Sequence, residues 1–274
     1  MDCIKAQLSC RFGGLWGKAL KQSYIRDRGS ARADLGEPIV ADEFEASLRR
    51  CRDRLDALLA VKAPRSILEA GGGSRTMIPL DGARYTVIDL SPEQIARNSY
   101  AHDKLVGDIH DFDFAHRSFD AAVFWDVLEH LPRPIAAVEN VAQALEPGGL
   151  MIIKGPLNRS VKGLVTKWTP FWVHVAFHRY VRGSKNAGKP GYAPFPTALV
   201  KGSDPDQLQA ELQRRGFKIA LFDTYISSHV AAFKRRLPLA YALYECAAAV
   251  IRGVTAGRYG QRESDFILVA SRSR

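Results

Sequence analysis

The run Ile67-Leu68-Glu69-Ala70-Gly71-Gly72-Gly73-Ser74 joins a short apolar stretch to three glycines, with an acid just ahead of them. Glycine lets a backbone approach a bulky ligand with no Cβ in the way. A dinucleotide fingerprint would need its last glycine where Thr76 stands, so that reading is disfavoured. More acids follow later apolar runs: Asp89 after 85–88, Asp108 in Gly107-Asp108-Ile109, and Asp126 after 121–125. A carboxylate in such a place can accept hydrogen bonds from a diol or an amine. Asp126 opens the stretch Asp126-Val127-Leu128-Glu129-His130. His130 is a candidate proton acceptor, because neutral imidazole is the side chain best suited to that work near pH 7. The alternative is a structural histidine on a loop. His174 and His178 are further candidates, against the alternative of a solvated helix face. Their i, i+4 spacing suits a metal pair, yet no third ligand is evident and no metal is assigned.

The elements that must position these residues follow from periodicity. Apolar runs suited to buried strands lie at 66–70, 85–89, 121–125 and 150–154, with helical stretches at 93–100 and 135–145 between them. That alternation predicts an α/β fold: a Rossmann-like, doubly wound, mostly parallel sheet of seven strands with helices on both faces. Phe44, Leu48, Cys51, Leu55 and Leu58 recur at helical spacing ahead of Pro64. Residues 1–63 are therefore expected to form an N-terminal helical cap, and 64–274 the main domain. Two insertions interrupt that domain, at 156–202 and 226–263. A helix opening at Asp204-Pro205, strands at 217–225 and 265–270, and a helical run at 239–251 complete the reading. In the first insertion, Thr169 is expected to cap a helix ending near Gly183. Phe171, His174, His178 and Arg182 would share one face, opposite a buried face of Trp172, Val173, Ala176, Phe177 and Tyr180.

The net charge of +10 is uneven. Residues 156–202 hold eight Lys or Arg, no Asp or Glu, and seven aromatics from Trp168 to Phe195. A local excess of this kind suggests an anionic partner. The four cysteines form no C-x-x-C pair, no stretch is apolar enough to span a bilayer, and the N-terminus lacks signal-peptide character, so a cytoplasmic protein is expected.

Five segments together carry a family resemblance. Leu68–Gly73 resembles motif I of class I S-adenosylmethionine-dependent methyltransferases, of the small-molecule "type 11" kind. Residues 85–91, Gly107-Asp108-Ile109, 119–131 and 145–150 are similar to the family's later elements in order and spacing. The resemblance covers roughly residues 64–155, and it implies that the insertions at 156–202 and 226–263 form a lid over the substrate. Arg75 departs from it, standing where a third glycine is usual. It implies S-adenosylmethionine as cofactor, held by Glu69, Ala70, Gly71, Gly73, Asp89, Leu90, Asp108, Ile109, Trp125 and Asp126. In that reading Asp89 takes the ribose hydroxyls and Asp108 with the following amide holds adenine. Leu90 and Ile109 wall the ring, while Glu69 and Asp126 lie near the sulfonium. The Asp126-x-x-Glu129-His130 run is similar to one associated with a divalent ion in relatives that methylate ubiquinone precursors, but the motif is too common to assign a metal.

The implied function is methyl transfer to a small molecule, with O-methylation of an anionic or amphipathic biosynthetic intermediate favoured. His130, His174 and His178 are the candidate bases. An RNA methyltransferase and a binding protein with a relict pocket are the competing readings. Nucleic acid ranks last among partners, because no RNA-binding module is recognisable. The basic, aromatic lid suits an anionic small molecule, and it equally suits peripheral contact with a membrane surface.

Overall fold

The computed structural model describes residues 39–273 except 182, 190, 191 and 199. Cys3, Cys10, Arg182 and most of the expected N-terminal cap lie outside the described residues.

A helix α1 (Ile39–Lys62) leads into strands β1 (Ser66–Ala70) and β2 (Arg84–Asp89), helix α2 (Pro92–Arg97), and strands β3 (Asp103–Val106) and β4 (Phe119–Trp125). Helix α3 (Pro134–Gln143) and strand β5 (Leu145–Pro156) follow. The first insertion holds α4 (Val161–Trp168) and α5 (Phe171–Ala176), the latter running into a π-helical turn at Phe177–Val181. Helix α6 (Pro205–Arg214) and strand β6 (Phe217–Tyr225) precede the second insertion, which carries α7 (Ser228–Arg236) and α8 (Pro238–Val254). Strand β7 (Asp265–Arg272) ends the fold.

The seven strands form one sheet in the order β3-β2-β1-β4-β5-β7-β6. Only β7 runs antiparallel to its neighbours. The chain winds outward from β1 in both directions, so strand order reverses between β1 and β4, where ligands bind in open α/β sheets. Two apolar cores cover the two faces. One gathers Ala137, Val138 and Val141 of α3 and Leu208 and Leu212 of α6. The other takes Cys51, Leu55 and Leu59 of α1, so α1 shares a core with the sheet.

Several elements differ from expectation for local reasons. β3 is an added strand with an alternating exposure pattern. Its sequence, Asp-Lys-Leu-Val, is too short and polar to stand out, and it is held at the edge by Arg84 bonding both oxygens of Asp103 at 2.9 Å. α2 stops at Arg97 and not at residue 100, because Asn98 Oδ1 accepts the amides of Tyr100 and Ala101 at 3.0 and 3.1 Å and turns the chain. α4 is unforeseen: Ser160 caps it by accepting the Gly163 amide at 3.0 Å.

The lid helix is corrected in three respects. Pro170, not Thr169, is its cap residue. The Thr169 hydroxyl is already committed to the Val165 carbonyl at 2.7 Å, and the residue closes α4. The helix also widens at Phe177, so faces drawn at 100° per residue do not continue to Tyr180. Trp172, Phe177 and Tyr180 are exposed and not packed on the sheet. What covers this helix is the turn that follows it: a Cβ on Gly188 would stand 2.8 Å from Val175, and Arg179 donates to the carbonyl of the buried Ala187.

Candidate active site

The glycine turn follows β1 directly. Gly71 and Gly73 have φ of +73° and +50°, the left-handed region that glycine enters at little cost. A Cβ on Gly71 would lie 2.6 Å from Val127, so that glycine lets the turn pack on the loop after β4. A Cβ on Gly73 would lie 2.9 Å from Gln94 Oε1 and 3.6 Å from Asp89 Oδ2, on the side where the ribose is expected. Ala70 is buried at the end of β1.

Glu69 is buried beneath this turn. Its two oxygens accept the Thr76 hydroxyl at 2.7 Å and the Met77 amide at 2.9 Å. Burial pushes its carboxyl up to about 7, against the opposing pull of those two donors. Glu69 therefore shapes the loop from within.

Asp89 stands at the tip of β2. Oδ2 accepts the Gly73 amide at 3.1 Å and Oδ1 the Ser91 amide at 2.9 Å. A carboxylate has about four lone-pair sites, so two amides leave acceptor capacity for a diol. Leu90 beside it is 67% exposed, and Ile109 is buried. Asp108 Oδ1 accepts the His110 amide at 2.9 Å and lies 2.5 Å from His110 Nδ1. The His110 amide, with help from the nearby imidazole, holds the Asp108 carboxyl below its ordinary value against the opposing effect of slight burial. Asn140 donates to the Ile109 carbonyl at 3.2 Å and fixes this loop. Two left-handed glycines, an acid with open lone pairs and apolar surface on either side fit an adenosyl group with its ribose diol.

The loop after β4 carries the other half. Trp125 is half-buried at the strand end, and Asp126 takes φ +54°, a conformation that Asp tolerates better than most residues. Asp126 Oδ1 accepts a short hydrogen bond from Lys154 Nζ. Lys154 ends the apolar stretch of β5 and also meets Asp265 at 3.2 Å. Lys162 of α4 reaches both oxygens of Asp265 at 2.9 Å. Burial alone would discharge the Lys154 ammonium, but Asp126, Tyr225 and Asp265 hold it charged. This network escaped sequence reasoning. The signal available was a lysine closing an otherwise apolar strand.

Glu129 lies on the 3-10 turn Leu128–His130, with a buried Oε2 that has no protein partner. Burial and the neighbouring Asp126 push its carboxyl up to about 8, with Lys154 pulling the other way. His130 Nδ1 lies 2.7 Å from the Pro196 carbonyl. A carbonyl only accepts, so Nδ1 carries the proton and Nε2 the lone pair in the neutral ring. Burial lowers the His130 pKa, outweighing the Pro196 carbonyl and Asp126, which favour the charged form. Phe195 sits edge-on to the imidazole at 6.1 Å, and Ala198 donates to the Glu129 carbonyl at 2.8 Å. The lid segment thus crosses the turn that presents His130. The same segment reaches α2, where the Arg97 guanidinium stacks over the Tyr192 ring at 4.8 Å.

The two lid histidines are placed differently. His174 Nε2 lies 2.8 Å from the Thr169 hydroxyl. That hydroxyl gives its only proton to Val165, so His174 Nε2 must be the donor here. His178 stands half-buried within the π-helical turn.

Residues 42–221 match the methyltransferase domain family. The chain is similar to the ubiquinone biosynthesis O-methyltransferase of Xanthomonas campestris pv. campestris, at 35% identity over 119 residues, 39% of this chain and 49% of that protein. The chain spans about half the length of the curated relatives it matches. Among solved structures it resembles the cyclase SpnF, with a TM-score of 0.50, 17% identity, and 94% and 93% of the two chains covered. It also resembles a Galdieria sulphuraria protein assigned as a sarcosine dimethylglycine methyltransferase, with a TM-score of 0.50, 14% identity, and 94% and 98% covered. At those identities the two structures show the shared fold alone. The family match takes in the glycine turn, Asp89, Asp108 and the Asp126–His130 loop, and the chain belongs to the class I S-adenosylmethionine-dependent methyltransferases.

Proposed function

We propose that this chain methylates a hydroxyl oxygen of a small anionic or amphipathic molecule, with His130 as the base that takes the hydroxyl proton. The observation that carries this reading is the 2.7 Å contact between His130 Nδ1 and the Pro196 carbonyl. It commits one ring nitrogen to the backbone and leaves Nε2 able to accept, in a ring that burial keeps neutral.

S-adenosylmethionine supplies an electrophilic methyl group on a sulfonium, and the chain's residues do the rest. The amides of Gly73 and Ser91 orient Asp89 toward the ribose side, and Asp108 with Ile109 forms the adenine side. Asp126, anchored by Lys154, sets the floor beside the reacting end. Phe195 and the rest of the lid strap shield His130 from water and narrow the geometries in which an acceptor can approach. The basic residues of the lid favour an acceptor with negative charge. His174 also has one nitrogen committed, Nε2 to Thr169, with Nδ1 left to accept, but it stands on the inserted helix α5 and not on the loop after β4. The names of the curated relatives support an O-linked product.

The test has two stages. Calorimetric titration with S-adenosylhomocysteine checks the cofactor cleft. Labelled cofactor is then offered with extracted small metabolites or with total RNA. Label in the metabolite fraction is expected, and label in RNA alone would overturn the reading. Cofactor binding without transfer to either would favour a non-catalytic binding protein.

A further inference from the structure

The second insertion presents a long exposed apolar surface. On α8, Leu239, Leu243, Val250 and Val254 are 83%, 73%, 65% and 83% exposed. At 100° per residue they fall within one narrow sector, with the exposed Cys246 between them. Ala242, Ala247 and Ala249 widen the same apolar surface. The opposite side of the helix is buried through Tyr241 and Ala248. The exposed face therefore carries no charged residue over about 25 Å of helix. Soluble surfaces seldom leave so long an apolar strip uncovered.

The ends of that strip are basic. Lys234-Arg235-Arg236 precedes it at the close of α7, and Arg258 and Arg262 follow it. From 226 to 263 the chain holds six Lys or Arg against two acids, Glu245 and Glu263. Glu245 is already engaged, at 2.6 Å from the Tyr241 hydroxyl and 3.8 Å from Arg262. The insertion also abuts the base of the lid, where Gly260 donates to the Arg159 carbonyl at 2.9 Å and Ser160 pairs with Gln261. Exposed Trp168 and Trp172 of that lid belong to the same end of the sheet, where β5 and β6 finish and β7 begins.

We propose that α8 docks the chain on an anionic lipid bilayer, lying in the interface with its apolar face down and its basic ends on the headgroups. An apolar strip bounded by cations, with aromatics beside it, is what an interfacial helix requires. A second copy of the chain fits less well. Packing α8 against its symmetry mate brings basic ends onto basic ends, with Glu263 the one exposed acid beside them. The helix is not long and apolar enough to cross a membrane, so it lies on the surface. This inference is independent of the methyl-transfer reading, and its test involves no turnover.

The intact chain is sedimented with phosphatidylcholine vesicles, with and without phosphatidylglycerol, at low and high salt. Binding only to the anionic vesicles, and weaker in high salt, is expected. Leu243→Glu should lower partitioning by about tenfold or more, while Gln213→Glu, exposed on α6, should not change it. A polarity-sensitive dye on Cys246, with Cys3→Ser and Cys10→Ser and with Cys51 buried, reads the face without altering its apolar residues. Its emission should shift to the blue on anionic vesicles. Absence of binding, or binding unaffected by Leu243→Glu, overturns the proposal. So does a solution dimer that Leu243→Glu splits without any vesicle binding. A dye already shielded in the intact chain before any vesicle is added overturns it as well.

Discussion

His130 has two ring nitrogens, and the lid has already engaged one of them. If the other removes the acceptor proton, His130→Ala should lower kcat by about 10²–10⁴-fold with little change in cofactor affinity. Because burial lowers its pKa from 6.5, the neutral form prevails at pH 7. The single-turnover rate should therefore fall only as pH drops below the ordinary histidine value. Glu129, its neighbour, behaves in the opposite sense. Its carboxyl is pushed up from 4.5 to about 8, so it stays protonated in the fold at neutral pH while the unfolded chain ionises. Its contribution to stability is thus present in acid and declines as pH rises from the lower value to the higher. Glu129→Gln should melt at an equal or higher temperature than the parent at pH 7, with the gap closing at pH 5. Asp89 is the simplest case. Asp89→Ala should weaken S-adenosylmethionine binding by about 1.5–3 kcal/mol in calorimetry, since charge-assisted hydrogen bonds to the diol are lost.

At the scale of elements, Asp265 ties the first insertion to the sheet. It sits at the start of β7, fully buried, and receives Lys154 from β5, Lys162 from α4 and the Ser264 hydroxyl. Burial by itself would raise its pKa, but the two ammonium groups and the hydroxyl hold it well below the usual carboxylate range. A depressed pKa contributes stability above the ordinary value and loses it as pH falls. Asp265→Asn leaves the buried Lys154 and the partly exposed Lys162 poorly matched and should cost about 3–5 kcal/mol in urea unfolding at pH 7. The variant should also lack the part of the parent's acid sensitivity that begins below about pH 4. The strap that covers the site depends on this anchor, because α4 is the first element of the insertion that ends in it.

For the whole molecule, charge and fold speak to different questions. The basic excess of residues 156–202 predicts that kcat/KM for an anionic acceptor falls from low to molar salt while cofactor affinity holds. Steady-state rates at a series of salt concentrations, beside calorimetry under the same conditions, check this. The sheet is shared with a cyclase as well as with methyltransferases, so topology does not name the reaction. The sequence determined the sheet, the switch point and the glycine turn, because each is written locally. Apolar runs of strand length, glycines where φ must be positive, and acids at strand ends need no distant partner to be read. It did not reveal β3, whose Asp-Lys-Leu-Val is held by a bidentate arginine on the neighbouring strand. Nor did it reveal which nitrogen of His130 is free, since the deciding group is a backbone carbonyl 66 residues away. The expected burial of Trp172 and Tyr180 failed for a related reason. Helical periodicity shows that a face is apolar, but what covers that face is fixed by packing, and here the covering element is the turn at Ala187-Gly188. Local pattern therefore decided where the glycine turn and the switch point lie, and tertiary packing decided which segments cross over them, because such crossings are contacts between segments far apart in the chain.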